Sequence, residues 1–218
     1  MRGCSVIVVA ALATGCAAPP IGLGSGALHP GTGASATGTA GYGAGGGRNV
    51  FQVDGALAVG IRRSFAVEAG LVYTQLSQLD RGHPLTAYGV FPYVRPRLSS
   101  GPVFVAVALS GFAMGGGGGG VVGGIADAQV GYGRTDWAAY VGGYRLHHEV
   151  IGSSSTSATQ LRIGAEYLIP TRGGRVGVAV ELYRQDDSLR GGETSSTLRS
   201  SYFGGAVKLR FASQWWKL

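Results

Sequence analysis

The stretch Thr159 to Gln185 constrains the fold most, because it alternates with a period of two on both sides of a short polar break. Leu161, Ile163, Ala165, Tyr167 and Ile169 alternate with Gln160, Arg162, Gly164 and Glu166. Val176, Val178, Val180 and Leu182 then alternate with Gly177, Ala179, Glu181 and Tyr183. Successive side chains of a strand point to opposite faces, so each arm is a strand, and Thr171 to Gly174 supplies the turn of a hairpin. One face carries hydrocarbon and a single tyrosine, while the other mixes small residues with charges. A soluble barrel keeps its charge outside and its hydrocarbon inside; the reverse arrangement suits a barrel whose outside is lipid.

The remaining composition agrees with that reading. Charged residues make up 13% of the chain and 41 of its 218 residues are glycine, which removes the charged helix surfaces of an ordinary soluble enzyme. No apolar run approaches the roughly 18 residues of a spanning helix. A closed barrel is the other structure that satisfies every backbone group in a bilayer.

Arg2 followed by the apolar run Val6 to Ala13 reads as a secretory leader over residues 1–15. It ends in Leu12-Ala13-Thr14-Gly15-Cys16, which resembles the bacterial lipobox, although Ala13 stands where leucine is commoner. The resemblance implies a diacylated Cys16 as the mature amino terminus; the alternative is ordinary cleavage nearby, for example after Ala18. Either way no disulfide is expected, since Cys4 lies inside the leader. Residues 16–33, rich in glycine, alanine and proline and without periodicity, read as a flexible tether, and 34–218 as the barrel. Losing the leader takes one of the 18 basic residues, Arg2, and leaves +6 of the formal +7, scattered rather than in a run, so no nucleic-acid partner is expected.

The periodicity predicts ten strands, at about 35–44, 49–61, 64–76, 84–98, 102–113, 121–133, 136–147, 158–169, 175–185 and 200–212. The first is the faintest, since Thr37, Thr39 and Gly41 are small, but antiparallel closure needs an even number and eight would require a second loss. Arg62-Arg63, Ser99 to Gly101, Arg134-Thr135 and Thr171 to Gly174 read as short turns. Gly43 to Arg48, Ser77 to His83, Met114 to Gly120, His148 to Thr156 and Asp186 to Ser195 read as longer loops. That alternation predicts an up-and-down transmembrane barrel with periplasmic termini and extracellular loops. Aromatic residues sort into two girdles, Phe51, Tyr73, Tyr88, Tyr144 and Phe203 toward the loops and Phe65, Tyr132, Tyr167 and Phe211 toward the turns. Pro92 and Pro96 remove ladder donors from the fourth strand and suggest a bulge there.

In strand alternation, loop alternation and an aromatic last strand, Tyr202-Phe203-Gly204-Gly205-Ala206-Val207-Lys208-Leu209-Arg210-Phe211, the chain resembles the small bacterial outer-membrane β-barrels of the OmpA/OmpX-type class. The resemblance implies residence among outer-membrane lipid and recognition of that strand by the barrel-assembly machinery, although the chain runs on through Trp215-Trp216 to Leu218.

The same phase puts Asp54, Glu68, Asp127, Glu166 and Glu181 inside, against Arg95, Arg145, Arg162, Lys208 and Arg210. Buried charges must be paired, so a sealed, ion-paired lumen is expected rather than a pore, with Ala56, Ala58, Ala106, Ala108 and Gly177 leaving room for the long side chains. Glu181 should meet Arg162 directly across its hairpin, and Lys208 or Arg210 on the last strand.

His147-His148-Glu149, with Ser153 to Ser155 nearby, is the one cluster that could act as a base with an orienting acid at the surface. Adjacent strand residues face opposite sides and no motif supports the cluster, so the first expectation is a non-enzymatic barrel acting structurally or through its extracellular loops, a surface enzyme on lipid or peptide is the alternative, and a narrow solute channel the third. No metal site is expected from two histidines without a third ligand in register. Gly115 to Gly120 lacks the lysine and Ser/Thr spacing of a phosphate loop, and no cofactor is expected. Trp137, after the turn at Arg134-Thr135, reads as an interfacial anchor.

Overall fold

The computed structural model describes residues 32–80, 83–116, 119–134, 136–150, 154–191 and 197–213. The leader, Cys16 and the tether up to residue 31 lie outside the described residues, and the first strand begins at Gly33. Ten strands follow in order: β1 (Gly33–Gly45), β2 (Arg48–Arg62), β3 (Phe65–Asp80), β4 (His83–Ser100), β5 (Val103–Gly116), β6 (Gly119–Gly133), β7 (Trp137–Val150), β8 (Ser154–Thr171), β9 (Gly174–Gly191) and β10 (Thr197–Ser213). Each pairs antiparallel with its sequence neighbours, and β1 closes on β10. The closing seam runs from Thr37 opposite Ala212 to Gly45 opposite Gly204, so the faintest strand of the sequence completes the barrel.

The alternation of long loops with short turns is not kept. Residues between successive strands number two or three at the end that carries the termini and two to five at the other, because the glycine, serine and charged stretches that resemble loops continue the strands. Arg48, Ser77, Gly115, Thr156 and Asp187 are all paired in ladders. Ladder bonds satisfy the backbone whatever the side chain, so polar composition alone does not end a strand. The end opposite the two termini is called distal below, and the other the terminal end.

Pro92 and Pro96 cause no bulge. The β4–β5 register stays in step from Tyr88 opposite Gly115 to Ser100 opposite Val103, with the rungs at both prolines left out. The β3–β4 ladder is unbroken through them. Residues four apart in a strand aim their N–H the same way, so both missing donors fall on one seam. The Ser110 hydroxyl donates to the Pro92 carbonyl there at 2.8 Å.

Outward residues are apolar around the whole circumference: Leu57, Leu71, Val94, Leu109, Val130, Val141, Leu161, Leu182 and Leu209 are all exposed, with Leu161 at 65%. Soluble monomers rarely expose contiguous apolar patches above a few hundred Å². Here the patch is a continuous belt. On β9 it runs from Val176 to Leu182 and ends at Arg184, and on β8 from Ile169 to Leu161 and ends at Thr159, a height of about 20 Å for a tilted strand. Tyr42, Phe51, Tyr73, Tyr88 and Phe203 face out toward the distal border, and Phe65, Tyr132, Trp137, Tyr167 and Phe211 toward the terminal one. Tyr73 stacks on Tyr88 at 6.4 Å between ring centres, and Tyr132 meets Trp137 in a tilted pair at 5.6 Å. Belt and girdles are those of a transmembrane barrel.

Tyr144 is a correction to the distal girdle: it points inward, and Arg145 points out. The phase of β7 is therefore the reverse of the expected one, with Ala138, Tyr140, Tyr144 and Leu146 inside. The cause is hydrogen bonding. The Tyr140 hydroxyl donates to Glu181 and that of Tyr144 to Gln185, partners absent from a lipid face.

Candidate functional site: the lumen

The interior is filled in layers. Midway along the barrel, the strands that carry charge on alternate inward positions bring nine ionic side chains together. Arg95 on β4 meets Glu68 on β3 at 2.9 Å, and the Tyr93 hydroxyl donates to the other oxygen of Glu68 at 2.7 Å. One nitrogen of Arg162 donates to both oxygens of Asp127 at 2.7 and 2.8 Å. Lys208 donates to Glu181 at 2.7 Å, Tyr140 donates to the same oxygen at 2.5 Å, and the Arg162 Nε lies 3.9 Å from it. Arg210 pairs with Glu166 at a longer 3.4 Å. Asp54 also faces the lumen, without a direct ion pair among the described residues, and its strongest opposite charges are Arg210 and Lys208.

Eight of the ten residues expected to form the lumen network thus pair with one another, Asp54 stands beside them, and Arg145 does not enter the lumen. Glu181 stands opposite Gly164, not Arg162, because Arg162 is registered with Tyr183 two residues along. That offset leaves Arg162 free to reach across to Asp127 on β6 and makes Lys208 the close partner of Glu181. Arg97, which sequence reasoning overlooked, is also buried and lies 4.7 Å over the ring of Phe104. It shares the parity of Arg95, and that signal was sufficient to find it.

Glycines make the layer possible. Tyr93 is registered with Gly70, Phe104 with Gly131, Tyr140 with Gly164 and Tyr183 with Gly204. In each pair a Cβ on the glycine would collide with the facing ring. The ring therefore lies flat across its neighbour strand, which carries the hydroxyls of Tyr93 and Tyr140 sideways to the carboxylates.

Above this layer the distal lumen of β2 to β7 is mainly hydrocarbon, with Gln52 donating to the Thr74 hydroxyl at 3.0 Å within it. Val50, Val72, Leu76, Phe91, Phe112, Met114, Val121, Ile125 and Leu146 form one buried cluster with Tyr93 and Tyr144, and Phe91 stacks on Phe112 at 5.1 Å. Leu146 is 0% exposed. The opposite wall holds a polar chain: Tyr144 donates to Gln185 at 2.9 Å, Gln185 to Asp187 at 2.6 Å, and Arg48 to Asp187 at 2.7 Å and to the Tyr202 hydroxyl at 3.2 Å. Below the charges, Phe104, Ala138, Leu168 and Ala212 gather with Tyr140 at the terminal end. The ionic layer lies between the distal layer, half hydrocarbon and half polar chain, and the smaller apolar cluster at the terminal end, and each charge depends on its partners.

His147 stands exposed on the outer face, and the register sets His148 opposite Thr156 and Glu149 opposite Ser155. The side chains of His148 and Glu149, and Ser153 itself, lie outside the described residues. Among the described residues no group of three or more His, Cys, Asp or Glu side chains could hold a metal ion.

No protein-family model matches the chain, and no curated protein matches it. Solved structures similar to it include OmpT, an outer membrane protein of Vibrio cholerae, at 12% identity and a TM-score of 0.42, covering 76% of this chain and 56% of that one. The chain therefore spans little more than half the length of that protein. The translocator domain of the autotransporter NalP from Neisseria meningitidis is similar at 9% identity and a TM-score of 0.48, covering 86% and 90%. The β-domain of the Bordetella autotransporter BrkA is similar at 12% identity and a TM-score of 0.46, covering 82% and 98%. The barrel described above rests on this chain's own ladder and belt.

Proposed function

We propose that the protein is a non-conducting, non-enzymatic barrel of the bacterial outer membrane that acts structurally, with its termini in the periplasm and a lipid anchor at Cys16. The observation that carries this reading is the occupied lumen: paired charges lie between a distal layer of packed hydrocarbon and hydrogen-bonded polar side chains and an apolar cluster at the terminal end, inside a wall whose outer belt suits lipid. Connections of two to five residues leave little loop for capturing a ligand, which favours a structural role over one through the loops. The aromatic last strand, ending near Phe211, is the element the barrel-assembly machinery would take up.

The test is made in whole cells and membranes. The protein should fractionate with the outer membrane and migrate as a heat-modifiable β-rich species. A cysteine at Ser200, near the distal rim, should be labelled by an impermeant maleimide on intact cells, and one at Ser64, in the β2–β3 turn, only after the outer membrane is opened. The reverse labelling would overturn the orientation, and recovery as a soluble periplasmic protein would overturn the whole reading. Mass spectrometry of the mature amino terminus decides the anchor, and a first residue other than diacylated Cys16 rejects it.

A further inference from the structure

Arg145, expected inside, is turned outward by the fold at the distal border of the lipid-facing belt, opposite Thr159. Two residues below it on the same face of β7 is Gly143, and below that Val141, within the apolar belt. Arg145 makes no hydrogen bond or ion pair among the described residues. It is also the shared wall of two hollows in the outer surface. One, of about 1110 Å³, is lined by Val141, Gly143, Leu161, Ile163, Leu182 and Phe203, with Arg184 at its edge. The other, of about 530 Å³, is lined by Leu109, Gly111, Gly124 and Ala126, with His147 at its edge.

The smaller hollow exists because glycine leaves the barrel wall bare. A Cβ added at Gly111 or Gly124 would meet only a backbone oxygen, at 3.9 and 3.7 Å. Among the described residues the basic side chains at their upper edge are Arg145, His147 and Arg184, and Arg184 has Asp186 beside it at 3.3 Å. Arg145 stands opposite Thr159, where the belt ends, and so holds its cation at headgroup level. The anions at that depth of a bilayer are lipid phosphates.

We infer that Arg145 and the two hollows beside it form a binding site for a phosphorylated, multiply acylated lipid of the outer leaflet, of the lipopolysaccharide kind. The phosphate sits on Arg145, reached also by His147 and Arg184, and acyl chains run down the two hollows on either side. Chains on both sides of one cation require a lipid with several chains on one phosphorylated head. The site rests on the outer-membrane reading proposed above.

The test uses the full barrel reconstituted into phosphatidylcholine vesicles that contain either a bis-phosphorylated hexa-acyl lipid A or its dephosphorylated form. Lipid that co-purifies after mild detergent extraction is counted by native mass spectrometry. Retention should favour the phosphorylated lipid, and Arg145→Leu, which suits the belt and leaves folding intact, should lower it about fivefold. Gly124→Leu, which fills the smaller hollow without touching the lumen, should lower it while heat-modifiable migration is unchanged. Equal retention of the two lipids, or an Arg145→Leu barrel that binds as the parent does, overturns the site. The vesicle assay does not depend on which way the barrel faces in the cell, so its failure leaves the orientation standing, and a failed cysteine labelling leaves the vesicle result standing.

Discussion

In the distal plug, Phe91, Phe112, Met114 and Leu146 are held by volume and contact, whereas one layer below, Glu181, Lys208, Arg162 and Asp127 are held by charge and geometry. Both layers fill the lumen, yet they should tolerate change in different ways. A hydrocarbon layer tolerates any substitution that conserves its volume. A buried ionic layer does not, since an isosteric neutral side chain leaves the former partner as an uncompensated charge. Replacing both partners at once can cost little. The contrast teaches where the barrel's rigidity resides: the plug supplies bulk, and the ionic layer fixes which strand faces which.

The largest effect is expected at Arg162, which holds Asp127 with two hydrogen bonds and lies beside Glu181. Arg162→Ala should cost about 4 to 5 kcal/mol in urea unfolding of the reconstituted barrel, since Asp127 loses its ion-pair partner and Glu181 the more distant of its two cations. Phe91→Ala in the plug comes next, at about 3 to 4 kcal/mol, the cost of a buried aromatic cavity. A larger loss at Phe91 than at Arg162 would reverse the ranking of the two layers.

Glu181→Gln keeps the shape of the side chain but removes the carboxylate that Lys208 donates to at 2.7 Å, and should cost about 3 kcal/mol; the double variant with Lys208→Met should cost less than the sum of the two single changes. Strict additivity would show that the pair is not coupled. The smallest effect is expected for Leu146→Met, under about 1.5 kcal/mol, although Leu146 is as deeply buried as any residue in the chain. Near-equal losses for Glu181→Gln and Leu146→Met would erase the distinction between the layers.

How much of this was legible in the sequence varies by strand. On β8 and β9 the two faces differ sharply in chemistry, and alternation alone gives the correct phase for Arg162, Glu166 and Glu181. On β7 the central pair Gly142-Gly143 carries no side chain on either face, and tyrosine suits lipid and lumen alike, so Tyr144 and Arg145 are misplaced by periodicity. The plug is hidden for a related reason. Where Val50 and Val72 face in while Phe51 and Tyr73 face out, both faces are apolar and the period-two contrast vanishes. The distal strand ends resemble loops because Arg48 and Asp187 are polar, and their pairing across the lumen depends on closure, which local sequence does not encode.

The account's central claim is that these layers leave no continuous water path through the barrel. Planar-bilayer recording of the purified protein tests it most directly. A flat baseline under applied voltage, with insertion verified by the heat-modifiable band, is the predicted result; discrete, reproducible current steps from the unmodified chain would contradict it.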